Sequence, residues 1–493
     1  MIGTKRIATW TMAAVMAVAT VAAPVAARAE DDARIRAYQA QLDRMQKEMD
    51  EMRARLRALE QERGAPAGRA AAPAAVTPAP APAAPAVATV PAAPVVAEQD
   101  RKIGVLATEV ERLKSKIVLP ENKELKSLYG FGPAASKVYQ IERGLSLGGY
   151  GEFNFQKFVS DQQGKRDQFD LLRFVLYTGY KFSDRILLNA EIEFEHALSG
   201  GGTVSSESGE VEIEFAYLDF MLWQQLNVRA GLLLVPVGFI NEMHEPPFFH
   251  GVLRPEVERL VIPTTWREGG VGLFGTLAPG LDYRAYVLNG LNAKGFSSSG
   301  IRGARQSGNR ALADDLAGTV RLQYAPFAGA SIGGSFFVGD SGQDGDFDGE
   351  KPGAFTLLWE THAQLHYRGL ELRALGTFVS IDDADVLSRA LEDTIAADSF
   401  GFYAEAAYDV LPLVLPDTTH YLAPFFRYEL FDTQDAVPRG FQRVPGNDVQ
   451  LFTVGLDYKP HPQVVLKLEY RNYNAGSERP RADEVNVGAG FVF

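Results

Sequence analysis

The chain has 493 residues, a formal net charge of −13, no cysteine and 46% hydrophobic residues. The missing cysteines exclude a disulfide framework, a thiolate metal centre and a lipid-modified Cys, and the acidic balance argues against nucleic acid as a partner. Beyond the leader, no stretch reaches the roughly 18 uninterrupted apolar residues of a membrane helix, so a membrane-spanning form has to be a barrel.

Residues 1–29 read as a cleavable secretory signal peptide: Lys5 and Arg6, an apolar run, then Ala27 and Ala29 just before Glu30. A retained membrane anchor is the alternative, disfavoured by Pro24 and the small residues around it. Removing Lys5, Arg6 and Arg28 with the leader leaves 46 cations against 62 acids, a net charge of −16. Residues 30–64 come next as a coiled coil, because Ile35, Tyr38, Leu42, Met45, Met49, Met52, Leu56 and Leu59 alternate spacings of three and four, and Gly64 supplies the stop. Residues 65–97 are nearly all Ala, Pro and Val, which suits an extended linker. Residues 98–119 form a second, shorter coiled coil through Ile103, Leu106, Val110, Leu113 and Ile117, and residues 120–144 connect it to a strand-rich C-terminal region. For each coil the alternative is an amphipathic helix lying on another surface. Fully extended, this stalk spans up to about 160 Å.

Residues 145–493 read as a membrane-spanning barrel domain, for three reasons. First, sixteen segments with the two-residue period of a strand succeed one another, from LSLGGYGEFNFQKF to EVNVGAGFVF, although GGVGLFGTL and ASIGGSFFVG are weakly patterned. Second, their connections alternate between short ones such as FSDR, LWQQ and LAPG and long polar ones, as in barrels of the outer membrane. Third, one face is charged: Leu466, Leu468 and Tyr470 alternate with Lys467, Glu469 and Arg471, and Leu188, Ala190, Ile192 and Phe194 with Asn189, Glu191, Glu193 and Glu195. A sixteen-stranded interior is too wide to be filled by its own side chains, so the pattern reads as lipid outside and water within. The fold class is therefore all-β, a 16-stranded antiparallel transmembrane β-barrel preceded by the α-helical coiled coil and the Ala/Pro-rich linker. Tyr180, Phe182, Tyr283, Tyr324, Tyr367 and Tyr458, near strand ends, suit interfacial belts. The terminal Phe493 is expected to be read by the barrel assembly machinery.

The terminal Phe, the sixteen strands, the long third external loop, GLSLGGYGEF, IEFAYLDF and GGVGLFG together resemble the phosphate-selective porin O and P family of trimeric outer-membrane porins. The resemblance implies a homotrimer in the outer membrane, in contact with lipid and lipopolysaccharide, with its N-terminal coiled coil in the periplasm. It also implies that the third loop, PVGFINEMHEPPFFHGVLRPEVERLVIPTTWRE, folds inward, which makes Glu242, His244, Glu245, His250, Arg254, Glu258 and Arg259 constriction residues.

That family's selectivity comes from arginine and lysine ladders facing the channel. By alternation the inward charges here are Arg173, Arg229, Arg284, Arg321, Arg373, Arg427, Lys467 and Arg471 against Glu191, Glu193, Glu195, Glu212, Glu214, Glu360 and Glu469, with Lys181, Glu371, Glu405, Glu429 and Asp457 beside them. The signs are mixed and strands three and four make one acidic wall, which predicts a weak cation preference and departs from a phosphate-selective pattern.

Other chemistry is weaker. Asp344, Asp346 and Asp348 stand in the order of the first half of a calcium loop, but the twelfth position is Phe355, so a solvated acidic loop is the expectation and a divalent ion there the alternative. His362 and His366 lie roughly 13 Å apart along one strand, too far to share an ion. His244 and His250 could tune the constriction with pH. Of the seven histidines only His362 and His366 lie clearly within a strand and neither has an obvious nucleophile beside it, so an outer-membrane barrel enzyme is the least favoured class and no cofactor is called for. The expected function is passive diffusion of ions and small hydrophilic solutes. The alternative is a porin whose added role is to tether the outer membrane to the cell wall through the stalk.

Overall fold

The computed structural model describes residues 126–159, 164–196, 209–475 and 481–493. The leader, both coils, the linker and residues 120–125 lie outside them. The described chain forms sixteen strands. They are β1 (Gly144–Phe158), β2 (Gln168–Ser183), β3 (Ile186–Glu195), β4 (Glu210–Trp223), β5 (Leu226–Leu234), β6 (Arg267–Ala278), β7 (Leu281–Asn289) and β8 (Leu316–Phe327). The second half comprises β9 (Ala330–Gly339), β10 (Thr356–Tyr367), β11 (Leu370–Ile381), β12 (Asp398–Tyr408), β13 (Tyr421–Ala436), β14 (Asp448–His461), β15 (Val464–Ala475) and β16 (Glu484–Val492). Each pairs antiparallel with its sequence neighbours, and β16 pairs with β1, closing the barrel and leaving no sheet edge open.

The last residue extends the β1–β16 seam. Phe493 N–H donates to the Gly149 carbonyl at 2.9 Å, and Gly149 N–H donates to the Phe493 carbonyl at 3.0 Å. The Phe493 ring lies over Gly149, where a Cβ would come within 2.7 Å of it. Glycine is needed here to let the terminal aromatic lie flat on the strand.

Alternation gives most strands an outer face with exposed apolar residues, among them Leu147, Phe169, Val271, Phe336, Leu468 and Val487. Tyr180, Phe182, Trp223, Tyr324, Phe327, Tyr367 and Tyr408 are exposed at the ends of even-numbered strands, all at the short-turn end. An apolar band bordered by aromatics is the surface a bilayer requires. The inner face carries the ionic residues, and most of them are buried. Two segments cover them. One is loop 3, residues 235–266 between β5 and β6. The other is residues 126–143, which include a single helical turn at Lys137–Gln140 and whose Phe131, Ala134, Ala135 and Val138 are buried. The sequence treated residues 120–144 as a plain connector. Its small apolar residues are instead packed against the inner wall.

Candidate functional site

Loop 3 lies against side chains of strands on every side of the barrel. Its backbone makes few regular hydrogen bonds of its own, so buried N–H and C=O groups must find partners elsewhere. The wall supplies them by charge. Glutamates take the loop's N–H groups: Glu469 accepts from Val252 (3.0 Å) and Leu253 (3.2 Å), and Glu429 accepts from Val257 (3.0 Å). Cations take its carbonyls. Lys467 Nζ donates to Phe249 (2.8 Å) and Gly251 (2.7 Å), Arg321 to Gly238 (2.6 Å), Arg373 to Phe248 (3.3 Å), and Arg427 to His250 (3.1 Å) and Leu253 (3.3 Å). The mixed signs of the lumen therefore serve first to hold a backbone.

The loop's own ionic residues complete the fastening. Glu242 pairs with Arg284 at 3.1 Å and stands 3.9 Å from Arg321. His250 bonds Asp457 through Nδ1 (2.8 Å) and Glu371 through Nε2 (3.2 Å). Burial alone would lower its pKa, but these two carboxylates raise it to about 9. His244 Nε2 is 3.2 Å from both Glu191 and Glu214, and there too the carboxylates outweigh burial, lifting the pKa to about 10. Glu258 folds back inside the loop, accepting from the N–H groups of Phe239 and Ile240 (2.8 Å each) and from the Tyr403 hydroxyl (2.6 Å). Burial pushes its carboxyl upward. Glu256, which the sequence did not single out, pairs with Arg471 (3.0 Å) and Arg259 (2.6 Å). Against its burial, those arginines hold its pKa near 2. Arg259 is half exposed, and Arg254 keeps two buried nitrogens with no hydrogen-bond partner among the described residues.

The 126–143 segment is held on the other flank. Glu245 accepts from the N–H groups of Ala134 (3.1 Å) and Ala135 (3.2 Å), tying this segment to loop 3. Asn189 donates to the Ala135 carbonyl at 3.0 Å. The Tyr139 hydroxyl meets Asp219 (2.7 Å) and Arg229 (2.9 Å). Arg229 itself pairs with Asp219 and lies over the rings of Phe131, Tyr217 and Phe274.

Asp219 was missed because strict alternation from Glu212 and Glu214 turns it toward lipid. A register shift between Glu191 and Ile192 inserts one extra residue in β4, so that Glu214 and Phe215 are both buried and Tyr217 and Asp219 face inside after them. Strand pattern alone contains the hint: EIEFAYLDF changes the parity of its polar positions midway.

The acidic wall is real in position but not open in character. Arg173 pairs with Glu152, Glu193 and Glu195 (2.9, 3.3 and 2.9 Å), and Arg267 with Glu212 at 2.6 Å. Glu152 and Arg267 had not been singled out. With Glu191, Glu193 and Glu214 buried, the premise of a cation preference is weakened, since these charges are partly compensated and lie behind the loop. His362 is fully buried between Glu360 (2.8 Å) and Arg321 (3.0 Å), whereas His366 is exposed. Glu360 also stands between His362 and the Ser335 hydroxyl, which donates to it at 2.6 Å; the hydroxyl is thus oriented to a carboxylate rather than to an imidazole base. Asp344, Asp346 and Asp348 are exposed in a turn in which Asp346 accepts from Gly349 N–H at 3.0 Å.

The chain is 40% identical over 371 residues to an uncharacterized protein of Aquifex aeolicus (strain VF5), covering 73% of this chain and 82% of that one. No family model matches it. Among solved structures, it is similar to OmpF of Salmonella typhi in complex with daunomycin (13% identity, 71% of this chain and 98% of that one, TM-score 0.48). It is also similar to the outer membrane channel DcaP of Acinetobacter baumannii (14%, 71% and 97%, 0.47) and to an anion-selective porin from Comamonas acidovorans (13%, 71% and 100%, 0.45). Likenesses of this degree are distant, and the barrel assignment rests on the strand pairing itself.

Proposed function

This chain belongs to the same family as the Aquifex aeolicus protein, and from that premise we propose that it is an outer-membrane porin, a passive channel for ions and small hydrophilic solutes whose bore is narrowed by loop 3. The observation that carries this reading is the closed sixteen-strand barrel with an apolar aromatic-bordered exterior and an ionic interior, an arrangement that only a bilayer outside and a polar interior make favourable. Loop 3 would set the bore because wall charges hold it at both its N–H and its C=O groups. Reconstitution into planar bilayers tests this: discrete conductance steps are expected, and a purified, folded barrel that gives none would sink the proposal.

The resemblance to phosphate-selective porins supports a homotrimer, to be tested by native mass measurement in mild detergent. It does not support phosphate selectivity, because the lumen arginines and lysine are engaged with carboxylates and loop carbonyls. We assign no catalytic activity, since each buried imidazole faces carboxylates rather than a nucleophile.

A second role, tethering through the N-terminal heptads, is favoured by the fastening of residues 126–143 inside the barrel, which would give a stalk a load-bearing attachment. Deleting residues 31–119 separates the readings. Conductance is expected to survive, with envelope integrity lost if the stalk tethers, and with trimers lost instead if it serves only assembly.

A further inference from the structure

We propose that Glu191, Glu214 and His244 form a binding site for one divalent transition cation of the zinc type, which staples loop 3 to the β3–β4 wall. The three side chains come from separate places in the chain and present donor atoms that all lie within 4.8 Å of one another, buried.

The geometry around His244 calls for a cation. Its Nδ1 is 3.3 Å from the Asn241 carbonyl. With Nδ1–H donating there, Nε2 is the nitrogen turned to the carboxylates; in the metal-free protein it holds a proton between them, and a bound metal takes that proton's place on the Nε2 lone pair. That lone pair faces two carboxylate oxygens, each 3.2 Å away. The positive charge already there is that proton and the Arg267 guanidinium, 3.8 Å from Glu214 Oε1. A proton on Nε2 satisfies one carboxylate; a divalent ion satisfies both. The separations also suit an ion, since donors bound at about 2.1 Å in a tetrahedron stand about 3.4 Å apart.

A second observation comes from groups left without partners. Oε2 of Glu191 and both carboxylate oxygens of Glu214 accept no hydrogen bond among the described residues, the Arg267 contact at 3.8 Å being too long for one, and the hydroxyl of Tyr150 makes none either. Tyr150 is fully buried and its ring lies 5.8 Å from that of His244. Buried polar atoms are ordinarily satisfied, and several orphans around one imidazole mark a missing partner. The β4 register shift explains how the site arises, because the extra residue leaves both Glu214 and the next residue, Phe215, buried. One nitrogen and carboxylate oxygens select zinc or a similar borderline ion over calcium or magnesium, which favour oxygen alone.

The test uses the full-length protein in detergent, stripped with chelator and dialysed. Zinc titration with metal analysis is expected to give one ion per chain, and cobalt(II) should give the intense visible band of a four-coordinate site. Glu191→Gln/Glu214→Gln and, separately, His244→Gln should each weaken zinc binding by roughly 100-fold, while Asp344→Asn leaves it unchanged. Heat-modifiable mobility on gels checks that each variant is a closed barrel. The cobalt band is read on the unaltered protein, so it decides the question even if a variant fails to fold. Absence of stoichiometric zinc, a weak octahedral cobalt spectrum, or binding retained in both variants would overturn the site and leave His244 a protonated ion-pair partner.

Discussion

Arg427 is the side chain whose loss should most disturb the fastening of loop 3. Its guanidinium is fully buried and bonds Glu405 (3.0 Å), Glu429 (3.1 Å) and the loop carbonyls of His250 and Leu253. Arg427→Met removes the fork, leaves two carboxylates buried without their cation and frees two carbonyls. Breaking a buried ion pair from one side costs about 3–5 kcal/mol. The sheet itself keeps its ladder, so most of this cost falls on the closed position of the loop. At about 1.4 kcal/mol per tenfold, loop opening rises by two orders of magnitude or more. Single-channel recording should then show larger or noisier conductance steps, with a lower temperature for the heat-induced gel shift. Arg427→Lys keeps the charge but not the planar fork and should fall between. Adding Glu429→Gln to Arg427→Met should restore part of the loss, because one stranded charge is gone. If Arg427→Met has the conductance and thermal stability of the parent, the loop is not held by these charges and the proposed constriction fails.

Three further outcomes are expected. His250 has its folded pKa raised to about 9 above the ordinary 6.5. Its imidazolium is faced by Asp457, Glu371 and Glu405, with His366 nearby, so the stability it contributes is complete below pH 6.5 and is lost as pH rises through 9. Conductance noise should grow over that window, and His250→Gln should abolish the change; a flat profile in the parent would refute it. Deleting Phe493, or Gly149→Leu beneath its ring, should slow barrel closure, measured as a smaller heat-modifiable fraction during refolding; refolding at the parental rate would show that the seam closes without them. Glu193→Gln should barely move the reversal potential in a salt gradient, because Arg173 already compensates that carboxylate, whereas Arg254→Gln should shift it toward cations. A large shift from Glu193→Gln would restore the acidic wall as the selectivity element.

Strand number, strand limits and the alternation of short and long connections were legible in the sequence, because each is a local property. A two-residue period bounded by turn residues needs no knowledge of the partner strand. The charged face was legible for the same reason, as was the exposed apolar band from Leu147 to Val487. What those inward charges do was not. Glu469 meets Val252 and Leu253 more than 200 residues away in sequence, and no periodicity encodes that pairing. The parity of β4 slipped at one inserted residue, which moved Asp219 inside and set Glu214 beside His244. Residues 126–143 read as a connector because a short segment with one helical turn carries no periodic signal, yet its small and aromatic side chains fit the space between loop 3 and the wall. Sequence by itself determined the barrel, since alternation and turns act over a few residues. Tertiary structure alone decided what the lumen charges face, since a folded loop brings buried backbone groups and distant side chains together, and their mutual satisfaction fixes where each one points.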